Sequence, residues 1–578
     1  NIFPSDMMDR LVVSKSLTAD MEGDAAGGVV DMVMKDAPSR FQLQANAAIG
    51  ATDYFWKDGR DYLTTDRSDY THKSPYEANG ADYKATMSDF KNGPVRLKSH
   101  STPAPNFVGG LSIGDRFWKD RLGVMLAGSI QNTFRGTERT YNSVKMASGE
   151  QAMYISNLHH RYYSIHDLTS GLHAKIDLTL PGHKLEWYNM YVRSNSKGVR
   201  YDNGISTEYI AADSYTQDDE VRSTSATQSI FATNLKGTHH LTKDFTVDWS
   251  GIFSQAKEED PDRTYITLTN TVSREGSADM LHSSLCPGNV RSIFDANAEG
   301  DVVDGSIWST DKNITKTLPK SAERRFQHNK DTDWAGYINL SYDTHFGNDV
   351  DALWKAGAQY RRKERSNRYY SYIFNPADIS QKLDGNGYDQ FANVDWVCKT
   401  PYSQASQLNY DSKEHIGGAY AMVTLKSRIG EVYAGFRAEH TNQIYTMLQH
   451  FRNMGQVGEQ SYWDYLPSAS LKWTPTAKMN VRLSYYRSIN RPGFYEIVPY
   501  QILGEEYQEK GNPNLKRARI DNLDLRWEWF PSKTEQILVG VFYKYLKDPI
   551  EQVFVTSDGK IGAGTDAYYM PDNLGNAK

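Results

Sequence analysis

From Asn522 to Trp529 the chain alternates without a fault: Leu523, Leu525, Trp527 and Trp529 fall on one side, Asn522, Asp524, Arg526 and Glu528 on the other. Successive side chains of a β-strand point to opposite faces of its sheet, so this stretch is a strand with one greasy face and one charged face. A soluble sandwich buries the greasy face in its core and leaves the other wet. A membrane barrel turns the greasy face to lipid and the charged face to a wet lumen.

The same alternation recurs along most of the chain. Phe41, Leu43, Ala45, Ala47 and Ile49 alternate with Gln42, Gln44, Asn46 and Ala48, and Val432, Ala434, Phe436 and Ala438 oppose Glu431, Tyr433, Arg437 and Glu439. Roughly 15 such strands can be counted, joined in turn by tight and by long connections. Tight turns are predicted near Pro181-Gly182, Lys243-Asp244, Gly347-Asn348, Ile429-Gly430, Pro475-Thr476 and Pro531-Ser532. Long loops are predicted at about 53–105, 136–164, 201–224, 259–332, 366–412, 447–462, 490–514 and 547–573. In soluble all-β domains connections vary on both edges and seldom exceed about 15 residues. Short turns on one rim and long loops on the other describe a large antiparallel transmembrane β-barrel in the all-β class.

Composition agrees. A mean hydropathy of −0.65 is too polar for a bundle of membrane helices, and no run of about 18 apolar residues occurs, but a barrel shows lipid only every second residue. Tyr 38 and Trp 12 suit aromatic girdles at two membrane interfaces. The net charge of −6 argues against nucleic acid as a partner. Cys286 and Cys398 lie far apart, and a disulfide and two free thiols both stay open.

Residues 1–38 differ from the rest. LVV at 11–13 and GVVDMVMK at 28–35 read as two short strands around a turn-rich segment, with Gly27 and Gly28 easing entry to the second. The expected division is the end of a small N-terminal domain at 1–38 and a barrel wall at 39–578. Roughly 15 strands would leave such a wall unfinished, because an open edge in lipid is prohibitive. The expectation is that the wall continues past Lys578 or is completed by a partner.

Two stretches resemble the TonB-dependent outer-membrane receptors. LVVSKSLTADMEGDAAGGVVDMVMKDAP, residues 11–38, is similar to the end of their plug domain, in a form common in Bacteroidetes. YLPSASLKW at 465–473, SYYRSINRPGFYEIVPY at 484–500, GNPNLK at 511–516 and FYKYLKDPIEQVF at 542–554 are similar, in order and spacing, to late-barrel motifs of the same receptors. The resemblance implies a plugged barrel of about 22 strands in the outer membrane of a Gram-negative bacterium, embedded in lipid and lipopolysaccharide. It implies import of a scarce nutrient, most often a ferric siderophore or similar chelate, driven by the proton gradient through TonB, whose contact box would lie N-terminal to this chain. Uptake of an oligosaccharide or peptide with a surface lipoprotein, and a structural role in a surface complex, are the alternatives.

Within that frame, Asp20, Glu22 and Asp24, with Gly27 and Gly28, form the plug motif, whose carboxylates either pair with wall arginines as a latch or only solvate a turn. Arg491, Pro492, Gly493 and Phe494, with Gly511, Asn512 and Pro513, bracket one loop and shape it at the rim. Asn522, Asp524, Arg526 and Glu528 face the lumen. The basic and aromatic run Arg361, Arg365, Arg368, Tyr369, Tyr370 and Tyr372 suits an anionic, planar ligand by charge and cation–π contact, or else an interfacial girdle. His159-His160 and His239-His240 are neighbours whose side chains diverge on a strand, so no metal site is expected. No cofactor is expected, and the absence of nucleophile-elbow, zincin or phosphate-loop motifs speaks against an enzyme.

Overall fold

A computed structural model describes residues 8–65, 70–90, 97–146, 153–206, 214–273, 318–347, 349–378, 381, 394–403, 408–448, 455–503, 508–555 and 568–578. In chain order the strands among them are β1 (Met8–Ser14), β2 (Val29–Met34), β3 (Gln42–Gly50), β4 (Tyr62–Thr65), β5 (Leu97–His100), β6 (Asn106–Phe117), β7 (Leu122–Met146) and β8 (Met153–Leu180). Then come β9 (His183–Ser206), β10 (Ser214–His240), β11 (Phe245–Ser273), β12 (Leu318–Phe346), β13 (Val350–Pro376), β14 (Trp396–Cys398), β15 (Tyr410–Ser427) and β16 (Gly430–Met447). The last are β17 (Val457–Thr476), β18 (Met479–Asn490), β19 (Gln501–Leu503), β20 (Gln508–Lys510), β21 (Ala518–Trp529), β22 (Ile537–Lys547), β23 (Ile550–Val555) and β24 (Tyr568–Asn573). Helix is confined to short pieces such as α1 (Asp53–Trp56), α2 (Pro75–Asn79) and α3 (Phe494–Ile497).

One sheet dominates. It runs β3-β6-β7-β8-β9-β10-β11-β12-β13-β15-β16-β17-β18-β21-β22, each strand antiparallel to the next, with β14 attached to β13. The main sequence is thus the 15-strand wall that the alternation predicts. The six tight turns fall where expected, between β8 and β9, β10 and β11, β12 and β13, β15 and β16, β17 and β18, and β21 and β22. β1 and β2 pair with each other, and β19, β20, β24 and β23 form a small separate sheet.

The outer face of the wall near the short-turn rim is a band of exposed apolar side chains: Leu168, Leu172 and Ile176 on β8, Trp334 and Ile338 on β12, Leu523 and Leu525 on β21. An exposed contiguous apolar band has one physical explanation in a folded protein of this shape, which is contact with lipid.

The long loops are where the structure departs from expectation. Within the predicted loops, residues 136–146, 153–164, 201–206, 214–224, 259–273, 318–332 and 366–376 are strand: β8 alone has 28 residues and β11 has 29, where about 10 suffice to cross a bilayer. The alternation ceases to be visible there because neither face meets lipid. Over β10 to β13 both are covered by protein instead.

The outer cover is the connection between β3 and β6, a strap laid across the wall from β7 to β13. Phe55 and Tyr62 pack edge to face, Tyr62 packs against Phe134, and Leu63 N–H donates to Ser164 Oγ at 2.9 Å. Tyr70 bonds Ser223 at 3.2 Å, Thr71 N–H donates to Asp262 at 3.3 Å, and Tyr76 stacks on Tyr370 with ring centres 4.9 Å apart. Phe90, Phe326, Tyr370, Tyr372 and Phe374 then make a core against Ile266 and Leu268. Tyr370, Tyr372 and Phe374 occupy the same even positions of β13 as exposed Trp354 and Tyr360, so this core sits on the outside of the wall. Below the strap, Arg324 grips Asp262 through Nε at 2.6 Å and Nη2 at 2.5 Å and donates to Phe90 O at 3.0 Å, all fully buried.

Asp262 can face outward because β11 carries one extra residue there. Asp260 pairs with Gln327 and Arg263 with Arg325, so three steps on β11 match two on β12, and Asp262 takes the left-handed conformation at φ 54°. The inner cover is the segment after β18, in which Phe494, Ile497, Val498, Tyr500 and Leu515 pack on Tyr369, Tyr410, Tyr445 and Met447.

Candidate functional site

The inner face of the wall holds the segment between β1 and β2. Gly28 enters β2 at φ +117°, with the Ser14 carbonyl 2.7 Å from where a Cβ would stand, whereas Gly27 has open space. The turn therefore needs glycine at one of the two predicted positions. Ahead of it, Lys15 to Ala26 bond the wall residue by residue. Lys15 O accepts from Tyr486 at 2.8 Å, Ala19 N–H donates to Tyr433 Oη at 2.5 Å, and Ala26 O accepts from Lys544 Nζ at 3.2 Å.

The acidic residues meet bases. Asp20 lies 3.5 Å from Lys355, and Glu22 accepts from Tyr337 at 2.6 Å and from Arg361 at 3.3 Å. Asp24 accepts the Arg491 backbone N–H at 3.2 Å and lies 3.7 Å from its guanidinium. Between them Gly23 comes so close to the wall that a Cβ would lie 2.2 Å from Leu466. Its N–H donates to Glu439 at 3.1 Å and its carbonyl accepts from Ile489 N–H at 2.8 Å.

Glu439 is the hub. Fully buried, it takes Arg437 Nε at 2.5 Å, the Arg491 guanidinium and the Gly23 N–H. A carboxylate removed from water in this way is tolerable only because cations and donors surround it. Neither Glu439 nor Gly23 was singled out from sequence. The signal for Glu439 was present, since it lies on the polar side of the β16 alternation with Tyr433 and Arg437; Gly23 carried none.

Arg491 thus does more than shape the rim. The other motif residues are structural: Pro492 O accepts from Gln443 at 3.1 Å, Gly511 N–H bonds Tyr500 O at 3.1 Å, Asn512 bridges to Pro571 O at 3.1 Å, and Pro513 O accepts from Gln460 at 3.3 Å. Asn522, Asp524, Arg526 and Glu528 fall on the inner face by register with β18, where Asn522 bonds Ser488 at 3.3 Å and Glu528 bonds Arg482 at 3.1 Å.

The basic and aromatic run is divided by the pleat of β13. Arg361, Arg365 and Tyr369 face in, while Arg368, Tyr370 and Tyr372 face out, the two tyrosines into the core under the strap. Arg361 and Arg365 are occupied by Asp333 (2.8 Å) and Asp331 (2.6 Å), and Arg368 by Asp411 (2.9 Å). The paired histidines diverge: His159 bonds Asp202 at 3.0 Å and His160 bonds Glu138 at 2.8 Å. Cys398 has no disulfide partner among the described residues, and Cys286 lies outside them.

Toward the long-connection rim the inner face opens into a chamber of about 520 Å³ between β10, β11, β12 and β13 and the segment bearing α3. Arg222, Arg263 and Arg325 line it with Glu220, Asp260, Glu323 and Glu509, and Tyr265 is flanked by Arg222 (4.4 Å) and Arg325 (4.7 Å). Burial pushes the Asp260 carboxyl above the ordinary range in spite of its ion pair with Arg263. Of the six residues of the basic and aromatic run, Tyr369 alone lines this chamber.

An antiparallel wall with a lipid-facing band, polar inside and carrying its own N-terminal segment against its inner face, defines an outer-membrane β-barrel protein. Residues 304–578 match the outer membrane protein beta-barrel family. The chain has the fold of the TonB-dependent outer-membrane receptors of Gram-negative bacteria. The ferric-catecholate import receptor Fiu from E. coli K12 is similar over 98% of this chain and 65% of its own, at 11% identity and a TM-score of 0.52. The siderophore receptor PiuA from Acinetobacter baumannii is similar over 99% and 65%, at 10% identity and a TM-score of 0.50. The chain therefore spans less than two thirds of the length of either receptor. No curated protein matches it in sequence.

Proposed function

We propose that this chain is the wall and plug end of a transporter, not an enzyme, that imports a scarce nutrient across the outer membrane when TonB pulls on the plug. The observation that carries this reading is the ladder of Asp20–Lys355, Glu22–Arg361 and Asp24–Arg491 pairs with Gly23 docked on Glu439. The part-exposed pairs Asp20–Lys355 and Glu22–Arg361 are individually weak, worth about 1 kcal/mol or less, while the buried Arg491 holds the far end more firmly. A row of such pairs holds a segment in register yet lets it leave stepwise under a pull. A ferric siderophore is the cargo class that the sequence resemblance favours; uptake with a surface lipoprotein is the second reading.

The test is a lock. In the full-length protein in cells, Asp24→Cys and Ile489→Cys, which sit opposite each other in a parallel bridge, are oxidised to a disulfide. Nutrient uptake should stop on oxidation, return on reduction, and collapse when the proton gradient is discharged. Unchanged uptake in the oxidised protein would sink the latch.

A further inference from the structure

The chamber is charge-matched, and that decides what fits it. Each guanidinium already faces a carboxylate: Arg263 pairs with Asp260, Arg325 grips Glu323 through two bonds at 2.6 and 2.8 Å, and Arg222 lies 3.9 Å from Glu220. Glu509 is a fourth carboxylate against three arginines. Among the described lining residues a polyanionic chelate would meet no uncompensated cation, and it would face like charge at close range. Other features of the lining point the same way. Tyr265, Tyr369 and Tyr495 present ring bodies with hydroxyl handles, Tyr495 being exposed and held by its bond to Glu509 at 3.1 Å. Asp260 Oδ1 and Arg263 Nε, an acceptor and a donor on the extra-residue step of β11, have no hydrogen-bond partner among the described residues, and buried polar atoms of this kind call for one. A hydroxyl group both donates and accepts, whereas an anionic oxygen only accepts. The volume lies within the range of about 300–1,000 Å³ usual for small-molecule sites.

We propose that this chamber binds a neutral, hydroxyl-rich ligand of saccharide type, seated on the tyrosines and hydrogen-bonded by the arginine–carboxylate pairs. The proposal rests on the reading of the lumen as a cargo route. It is tested with the full-length protein in detergent by calorimetric titration with neutral glucan, xylan, mannan and fructan oligosaccharides, and with ferric citrate and a ferric catecholate. One saccharide should saturate, and its affinity should fall about tenfold or more in Tyr495→Ala and in Arg325→Gln, the first of which changes a ring exposed to solvent. Silence from every saccharide, or saccharide binding indifferent to both substitutions, overturns the proposal. So does a ferric chelate whose affinity drops in the same two variants. Uptake of the bound saccharide by cells separates the two readings: binding without uptake refutes import and leaves the chamber standing, whereas uptake of a chelate unaffected by either variant refutes the chamber alone.

Discussion

The same strands live in two worlds. Near the short turns, β8 shows Leu168, Leu172 and Ile176 on its outer face and His173, Lys175 and Asp177 on its inner one, the latter reaching Lys35, Asp36 and Arg116. Further out, β10 to β13 present aromatic and charged residues on both faces, and each face is roofed by a separate part of the chain. In the first region the solvent is lipid and the wall needs only pattern. In the second, cohesion depends on particular side chains fitting each other, as in any protein interior. The outer half should therefore be the more fragile to substitution and the inner half the more tolerant.

The largest effect is expected from Arg324→Ala. It strands Asp262 as a buried charge without its cation and removes the donor to Phe90 O, a loss of about 5 kcal/mol at the upper end for a broken buried pair. Hydrogen exchange should accelerate in residues 70–90 and leave the lipid-facing amides of β8 unchanged; equal acceleration in both would erase the distinction between the regions. Next comes a matched pair of truncations. Phe374→Ala, at the centre of the outer core, should cost about 4 kcal/mol, while Leu172→Ala on the lipid face should cost less than about 1 kcal/mol. Denaturant melts in detergent compare them, and similar losses would count against the contrast.

The smallest effect is one of pH. Burial alone would raise the Asp202 carboxyl, but the His159 bond and the charges of His159, Arg161 and Arg200 hold it below the ordinary range. A carboxyl lowered by folding contributes stability that is present above its unfolded value, about 3.9, and is lost as pH falls through the folded one. Acid melts should thus steepen below about pH 4, and Asp202→Asn should flatten that limb by lowering the melt at neutral pH while leaving the melt in acid nearly where it is. An unchanged acid limb in the variant would show that the cluster is not a source of this stability.

These regions also differ in how far the sequence discloses them. The band of β21 could be traced from Leu523, Leu525, Trp527 and Trp529, because a strand with one face in an apolar medium, lipid or core, carries a two-residue period; the unequal connections of the two rims then chose lipid. The tight turns were equally legible through Pro181-Gly182 and Gly430, where backbone freedom is needed. The outward reach of β8 and β11 was not, since Tyr162, Arg200, Asp260 and Arg324 look like loop residues until their partners on neighbouring strands are known. Between β1 and β2, a meeting of acidic residues with wall bases could be anticipated, but the choice of Arg361, Lys355 and Arg491 required register. The run from Arg361 to Tyr372 misled as a single patch because a strand shares its side chains between two faces, so composition in a window says nothing about co-location.

The extra residue in β11 bears on how this protein can change by insertion or deletion. Upstream of Asp262, even positions such as Asp260 point inward; downstream, odd ones such as Arg263 and Tyr265 do. Deleting one residue at this step would bring β11 and β12 into step, two against two, and leave both sets facing as they do: Arg263, Tyr265 and Thr267 in the chamber, Ile266 and Leu268 in the aromatic core beneath the strap. Within a regular run of the strand the same deletion would move every residue on one side of it to the opposite face. A reading-frame-preserving loss of one codon, which there would turn part of the strand inside out, is absorbed at Asp262. The step is thus a place where the length of β11 can change by one residue while each face keeps its occupants.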